Sequence, residues 1–185
     1  MRIPKKSPPW KRRLRREILR ARKTLILGVG NRWRGDDAAG VLCAEEIKKN
    51  FGRGGAASPR VVIGGEAPEN WTGPVRRFGP DLVIILDAVL GPFEPGTIFI
   101  VDQRDIPDET ATTHRVSLRL LLSYIETDIK SRPVLVGIQP ETIALGDLVT
   151  ESVRDACSRL SKYLVSLFSR DRPTVHPRIV RSSSA

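Results

Sequence analysis

Short apolar runs alternate with amphipathic segments along most of this chain. Runs rich in β-branched residues or leucine, each bounded by turn residues, are typical of buried strands. Such runs fall at residues 24–29, 60–63, 81–87, 97–102 and 133–138. Apolar residues at helical spacing predict helices over residues 37–50, 115–129 and 150–168. The pattern therefore predicts alternating strands and helices.

Two connections refine this pattern into a topology. Gly73 and Pro74 interrupt the segment 68–78, so we expect at most one or two helical turns there. The connection AVLGPFEPG, between the third and fourth predicted strands, is too short for a helical crossover, which predicts an antiparallel fourth strand at an edge. The predicted fold class is α/β, a three-layer α/β/α sandwich with a mostly parallel five-stranded sheet and one antiparallel edge strand.

The predicted domain covers residues 24–169 and has an extension at each end. In the arm at residues 1–23, Trp10, Leu14 and Ile18 follow Pro9 at four-residue spacing, which indicates a short helix. Because this apolar stripe is thin, we expect the arm to be solvated or loosely docked. Residues 170–185 are rich in Pro, Arg and Ser without periodicity, and predict a flexible tail.

The formal net charge of +10 belongs to the arm. Residues 1–23 carry eleven Lys or Arg and a single acid, Glu17, so the rest of the chain is neutral overall. Residues 24–169 alone hold 16 basic and 19 acidic residues. The domain therefore does not resemble a nucleic-acid-binding protein, although the pI of about 10.3 would suggest one.

The remaining composition is that of an ordinary soluble protein, with 40% hydrophobic and 28% charged residues. No apolar run approaches the roughly 18 residues of a membrane span, and no apolar stretch follows the basic N-terminus as in a secretory signal. Cys43 and Cys157 are far apart and lack CxxC spacing, so they predict neither a zinc ribbon nor a disulfide framework. We expect two buried, unreactive thiols in a cytoplasmic protein.

The first predicted strand runs into a glycine-rich loop, GVGNRWRGDDAAG, at the edge where open α/β sheets gather their functional groups. This loop is not a dinucleotide fingerprint, because Trp33 stands where GxGxxG needs its third glycine. Asp36 and Asp37 also place negative charge where a phosphate would approach the helix. Two acids at this position can equally cap the helix and complement its dipole.

Asp87 and His114 extend this set. Asp87 ends the buried run DLVIILDA, and His114 precedes a predicted helix. Each alone is more often structural. Together with an aspartate after the first strand they provide two carboxylates and an imidazole, which suit a divalent transition metal such as Ni, Zn or Mn. The chain has no HExxH or GxSxG motif, so the usual protease signatures are missing.

At these residues the chain resembles the [NiFe]-hydrogenase maturation endopeptidase family, most closely the branch that serves formate-hydrogenlyase hydrogenases. The matching motifs, in family order, are GVGNRWRGDDAAG, GGEAPENW, VIILDAV, TTHRVSL and GIQPE. They span residues 25 to about 168, and the arm before Lys23 departs from the family pattern.

This resemblance implies an endopeptidase that removes a C-terminal extension from a nickel-loaded hydrogenase large-subunit precursor. Asp37, Asp87 and His114 take the family's metal-contacting and catalytic positions, and Asp36 is a neighbour that shapes the loop. Nickel is supplied by the precursor, and the free enzyme has room for another divalent metal. In the predicted loop GIQPE, Gln139 is expected to contact the substrate.

Two other interpretations remain open on the residues alone. One is an α/β nucleotide-binding or regulatory domain without proteolytic activity. The other is a binding module whose basic arm engages RNA or an acidic protein.

Overall fold

The structure of the protein is a computed structural model that describes residues 9–51, 58–102 and 113–169. The side chains of residues 113–117 lie outside this description, as does the predicted tail. In the described ranges, no helix has both the length and the apolar character that crossing a bilayer requires.

Five strands form one sheet in the order β2-β1-β3-β5-β4. Their bounds are Thr24–Val29 for β1, Arg60–Gly65 for β2, Leu82–Ala88 for β3, Ile98–Val101 for β4 and Arg132–Ile138 for β5. The pairs β1–β2, β1–β3 and β3–β5 are parallel, and β4 is antiparallel to β5 at the edge. The predicted mostly parallel sheet with one antiparallel edge strand is confirmed.

Five α-helices and two short 3-10 turns connect these strands in the described ranges. The helices are α1 (Pro9–Arg20), α2 (Ala39–Phe51), α3 (Thr72–Phe78), α4 (Thr113–Thr127) and α5 (Glu151–Ser169), and the 3-10 turns are Gly35–Ala38 and Pro68–Trp71. The segment 68–78 forms one 3-10 turn followed directly by the seven-residue α3, which is more helix than the one or two turns expected. Gly73 and Pro74 do not interrupt it, because Pro74 lies in the first turn of α3, where its missing N–H costs no helical hydrogen bond.

Each face of the sheet has its own core, which makes the three predicted layers. On one face, Ile84, Leu86 and Val136 pack with buried residues of α1, α2 and α5. On the other face, Val83 and Ile85 pack with buried residues of α3 and α4. Strands β1 and β3 lie between the two layers, and all their residues are buried except the last two of β3, as their continuous apolar runs predicted.

Helix α1 differs from the loosely docked arm that its thin stripe suggested. Its three apolar residues, Trp10, Leu14 and Ile18, are all buried in the core on the α5 side of the sheet. The Trp10 ring meets the ring of Tyr163 edge-on at 5.3 Å between centroids, and the Tyr163 hydroxyl donates a 2.8 Å hydrogen bond to the Lys11 carbonyl. These three residues are enough to dock α1 on the domain because α5 and β4 provide a surface against which they pack.

Candidate active site

The candidate site lies at the carboxyl ends of β1 and β3. From β1 the chain moves outward to β2 on one side, whereas β3, β5 and β4 lie on the other side. This reversal of strand order opens a crevice between the loops that leave β1 and β3. The first predicted aspartates follow β1, and Asp87 is the penultimate residue of β3.

The turn after β1 is shaped so that Asp37 faces back toward the strand. Gly30 has a φ of +131°, and a Cβ on it would overlap the carbonyl oxygen of Asp37, so only glycine fits there. The amide of Asn31 donates a 2.8 Å hydrogen bond to Asp37 Oδ2. Within the described residues Oδ1 of Asp37 accepts no hydrogen bond, so this half-buried carboxylate is oriented through one oxygen and has the other available.

Gly40 brings this turn against the end of β3. A Cβ on Gly40 would overlap the carbonyl oxygens of both Leu86 and Val29, so the start of α2 lies directly on the last residues of β1 and β3. The turn Gly35–Ala38, which carries Asp37, therefore packs against the end of β3, and the backbones of Asp37 and Asp87 lie near each other at this edge of the sheet. Gly40 gave no signal of this packing role in the sequence, although it closes the GDDAAG motif three residues after the predicted helix start at Asp37.

Asp36 is fully buried and does not face the crevice. Its carboxylate accepts hydrogen bonds from the amides of Glu141 at 2.8 Å, Thr142 at 3.3 Å and Thr150 at 2.7 Å, and from the Thr150 hydroxyl at 3.0 Å. Its own amide donates to the Thr142 carbonyl at 2.9 Å. Asp36 therefore joins the loop after β1 to the loop after β5.

Asp87 opens into a mainly apolar cavity of about 400 Å³. Its half-buried side chain lines this cavity at the end of β3, next to the antiparallel edge of the sheet. The remaining lining comes mostly from residues 88–93, which leave β3, and from residues of β4. A half-buried carboxylate that lines a mainly apolar cavity can contact a cation or a substrate there.

His114 lies in the first turn of α4, and its side chain is outside the described residues. One turn later in the same helix, Leu118 lines the cavity together with Asp87. The helix that carries His114 thus lies beside Asp87 at Leu118, one turn after His114. Among the side chains that the structure describes, no group of three or more His, Cys, Asp or Glu residues is close enough to hold a metal, and the predicted set needs His114 as its third member.

Gln139 is buried, and its side chain is used within the fold. The amide of Gly91 donates a 2.7 Å hydrogen bond to Gln139 Oε1, and Gln139 Nε2 donates to the Pro140 carbonyl at 3.2 Å. These bonds fix the loop that lines the cavity beside Asp87. Its expected contact with the substrate stays a prediction, and the geometry gives Gln139 a role in positioning residues 89–93.

The two cysteines are buried between α2 and α5, as predicted, and neither forms a disulfide. Hydrogen bonding to Cys157 and burial raise the pKa of the Cys43 thiol well above its ordinary value. A neutral, buried thiol is a poor nucleophile, so Cys43 does not supply the nucleophile of a thiol protease.

Comparison with known proteins identifies the relatives of this chain. A family model described as hydrogenase maturation protease matches residues 41–167. The hydrogenase 3 maturation protease of Escherichia coli K12 is 35% identical over 137 residues, which cover 71% of this chain and 82% of that protein.

Solved structures agree with these matches. The crystal structure of a [NiFe] hydrogenase maturation protease from Thermococcus kodakarensis superposes with a TM-score of 0.76 at 32% identity, covering 84% of this chain and 97% of that one. The solution structure of an endopeptidase from Escherichia coli gives a TM-score of 0.67 at 32% identity, covering 78% and 90%. None of these relatives favours the nucleotide-binding interpretation.

Proposed function

The chain belongs to the hydrogenase maturation protease family, and on that premise we propose that it removes the C-terminal extension of a nickel-loaded [NiFe]-hydrogenase large-subunit precursor. It is an endopeptidase that processes a hydrogenase precursor. We propose three further points: that the segment removed is the C-terminal extension, that cleavage requires nickel, and which residues carry out the reaction. The packing of the turn that carries Asp37 against the end of β3, where Asp87 lines the cavity, is the observation that supports this proposal most.

Nickel enters this proposal as part of the substrate, held by the precursor. Asp37 and Asp87 offer two carboxylates, and His114, at the start of the neighbouring helix, would add an imidazole. Such an oxygen and nitrogen set suits a divalent transition metal and leaves coordination positions for ligands from the precursor. A precursor without nickel would lose these contacts, so the enzyme would act only after metal insertion. Another divalent metal in the free enzyme remains compatible with the same donors.

The same residues would then promote hydrolysis of the peptide bond. Contact with the nickel fixes the scissile bond beside the crevice, which lowers the barrier by orientation. A carboxylate that hydrogen-bonds water accepts its proton as the oxygen attacks the carbonyl carbon, and the proton is returned to the departing amine as the C–N bond breaks. This metal-dependent, aspartate-type mechanism assigns catalytic roles to Asp37, Asp87 and His114.

Gln139 and the reducing environment complete the proposal. Through Gly91, Gln139 would hold the loop beside Asp87 against an extended substrate. The two free thiols fit a reducing compartment, so the proposal places the activity in the cytoplasm.

The test is the rate at which nickel-loaded precursor is processed by Asp37→Asn, Asp87→Asn and His114→Ala. We expect losses of at least about 100-fold in each, the scale typical of removing a positioned catalytic group. Asp155→Asn is the matched control, because it makes the same chemical change on the exposed surface of α5. Wild-type rates in all three site variants would refute the assignment.

A further inference from the structure

Large apolar side chains are exposed mainly around the carboxyl edge of the sheet. Within the described residues, the exposed large hydrophobics at this edge are Trp33, Leu90, Phe93, Leu145 and Leu148. The others, Leu19 and Leu120, lie on α1 and α4. Exposed apolar side chains gathered at one edge indicate an interaction surface more strongly than the same residues scattered singly.

Trp33, Leu145 and Leu148 form the most exposed part of this edge, with 72%, 77% and 80% of their surfaces accessible. We call these three residues the apolar platform. Trp33 belongs to the loop after β1, and the two leucines belong to the loop after β5. The amide of Gly146 donates a 2.7 Å hydrogen bond to the Trp33 carbonyl, so the two loops are directly joined.

The loops of the platform are held in place by polar contacts. Arg34 Nε donates a 3.1 Å hydrogen bond to the Ile143 carbonyl, and the buried Asp36 carboxylate binds the amides of Glu141, Thr142 and Thr150. Gly35 has a φ of +52° and packs against Thr142. Tethered loops of this kind hold their side chains outward at little further entropic cost when a partner binds.

The platform is continuous with the proposed active site. Trp33 is four residues before Asp37, so their Cα atoms are separated by at most about 14 Å. A substrate that places its scissile bond near Asp37 therefore brings residues within about four positions of that bond into reach of the platform. The same Asp36 carboxylate that fixes the platform loops lies in the 3-10 turn that carries Asp37.

We propose that the apolar platform of Trp33, Leu145 and Leu148 is the docking surface for an apolar segment of the hydrogenase precursor that flanks the scissile bond. This inference rests on the proposed function, because the active site defines which protein reaches this edge. In this proposal the tryptophan and the two leucines bind the precursor, and the residues of the crevice cleave it. Interfaces commonly concentrate affinity in a few residues, among which tryptophan is prominent, so we expect Trp33 to contribute most.

The test compares platform variants with variants of other exposed leucines elsewhere in the protein. We would measure the Kd of nickel-loaded precursor for the full chain, together with the KM and kcat of processing, for Trp33→Ala, Leu145→Ser, Leu148→Ser and the triple variant. Leu19→Ser and Leu120→Ser are the controls, since Leu19 and Leu120 are 61% and 66% accessible and lie on helices.

We expect the triple variant to raise Kd and KM by about 30-fold, the range of a lost hot spot, while kcat changes less than about twofold. The control variants should match wild type. Thermal unfolding of each variant separates lost docking from lost folding, and Trp33→Phe with Leu145→Met and Leu148→Met should retain wild-type Kd. A folded triple variant with a Kd within about twofold of the controls would overturn the inference.

The outcomes also separate this inference from the proposed function. If wild type cleaves the precursor but the platform variants bind it with unchanged affinity, only the proposed docking surface is wrong. Binding that depends on the platform, without any cutting, contradicts the proposed chemistry alone. If wild type does not bind nickel-loaded precursor, both are wrong.

Discussion

The carboxylate of Asp36 accepts hydrogen bonds from both the amide and the hydroxyl of Thr150, a residue 114 positions later in the chain. Because Asp36 also binds the amides of Glu141 and Thr142, this single buried side chain ties together the two ends of the loop after β5. Its neighbour Asp37 faces the crevice instead. The paired aspartates of the GDD motif thus divide into one structural residue and one candidate catalytic residue.

We predict that Asp36→Asn lowers the free energy of unfolding by about 2–4 kcal/mol. The asparagine amide group places N–H donors against backbone N–H donors inside the fold, and hydrogen bonds to a charged acceptor are lost. Denaturant unfolding at neutral pH measures the difference. Asp155→Asn, on the exposed face of α5, should change stability by less than about 0.5 kcal/mol. Equal stability of Asp36→Asn and wild type would contradict this role.

Gly40→Ala should either destabilise the protein by more than about 3 kcal/mol or displace α2 from the sheet, because the new Cβ overlaps the carbonyl oxygens of Leu86 and Val29. Processing should fall with it, since the same contact holds Asp37 beside Asp87. Gly73→Ala is the matched control. Its Cβ would meet no atom beyond the neighbouring residues and the helix backbone closer than Arg77 Nη1 at 3.6 Å, and the helix preference of alanine is opposed by the following Pro74, so a change of less than about 1 kcal/mol is expected. A Gly40→Ala variant as stable and active as wild type would refute this reading of the contact.

Helix α1 should behave as part of the domain. Leu14 is fully buried, so Leu14→Ala should cost about 2–4 kcal/mol in chemical denaturation. Leu19 in the same helix is exposed, and Leu19→Ala should be neutral within about 0.5 kcal/mol. Similar small effects of both changes would restore the loosely docked arm that the sequence alone suggested.

The thiols should be unreactive in the folded protein. Hydrogen bonding to Cys157 and burial raise the pKa of Cys43, so the thiol stays protonated above its ordinary titration range. The stability that it contributes is fully present at neutral pH and is lost as the pH rises from the ordinary cysteine value through the raised one. Labelling with a chromogenic disulfide reagent at neutral pH should detect the two thiols only after denaturation. Rapid labelling of native protein would contradict their burial.

The sheet could be predicted from sequence because its strands carry continuous apolar runs and because AVLGPFEPG is too short for a crossover. The docking of α1 could not be predicted. A stripe of three apolar residues has the same sequence pattern whether the helix is solvated or packed against α5. The placement of Asp37 and Asp87 at one edge of the sheet could be predicted because each follows or ends a predicted strand. The contact that brings their backbones near each other could not be predicted. That contact is the close approach at Gly40, between residues 46 positions apart. The exposure of Leu145 and Leu148 was also hidden, because a leucine in a loop gives no sign of which way it faces.

Nickel-dependent loss of mass from the large subunit tests the central claim most directly. The large-subunit precursor would be co-expressed with wild type or with the Asp37→Asn/Asp87→Asn double variant, in medium with and without nickel, and analysed as an intact protein by mass spectrometry. The account predicts loss of one C-terminal peptide only with wild type and nickel together. Full-length precursor under that condition, or the same loss of mass without nickel or with the double variant, would contradict it.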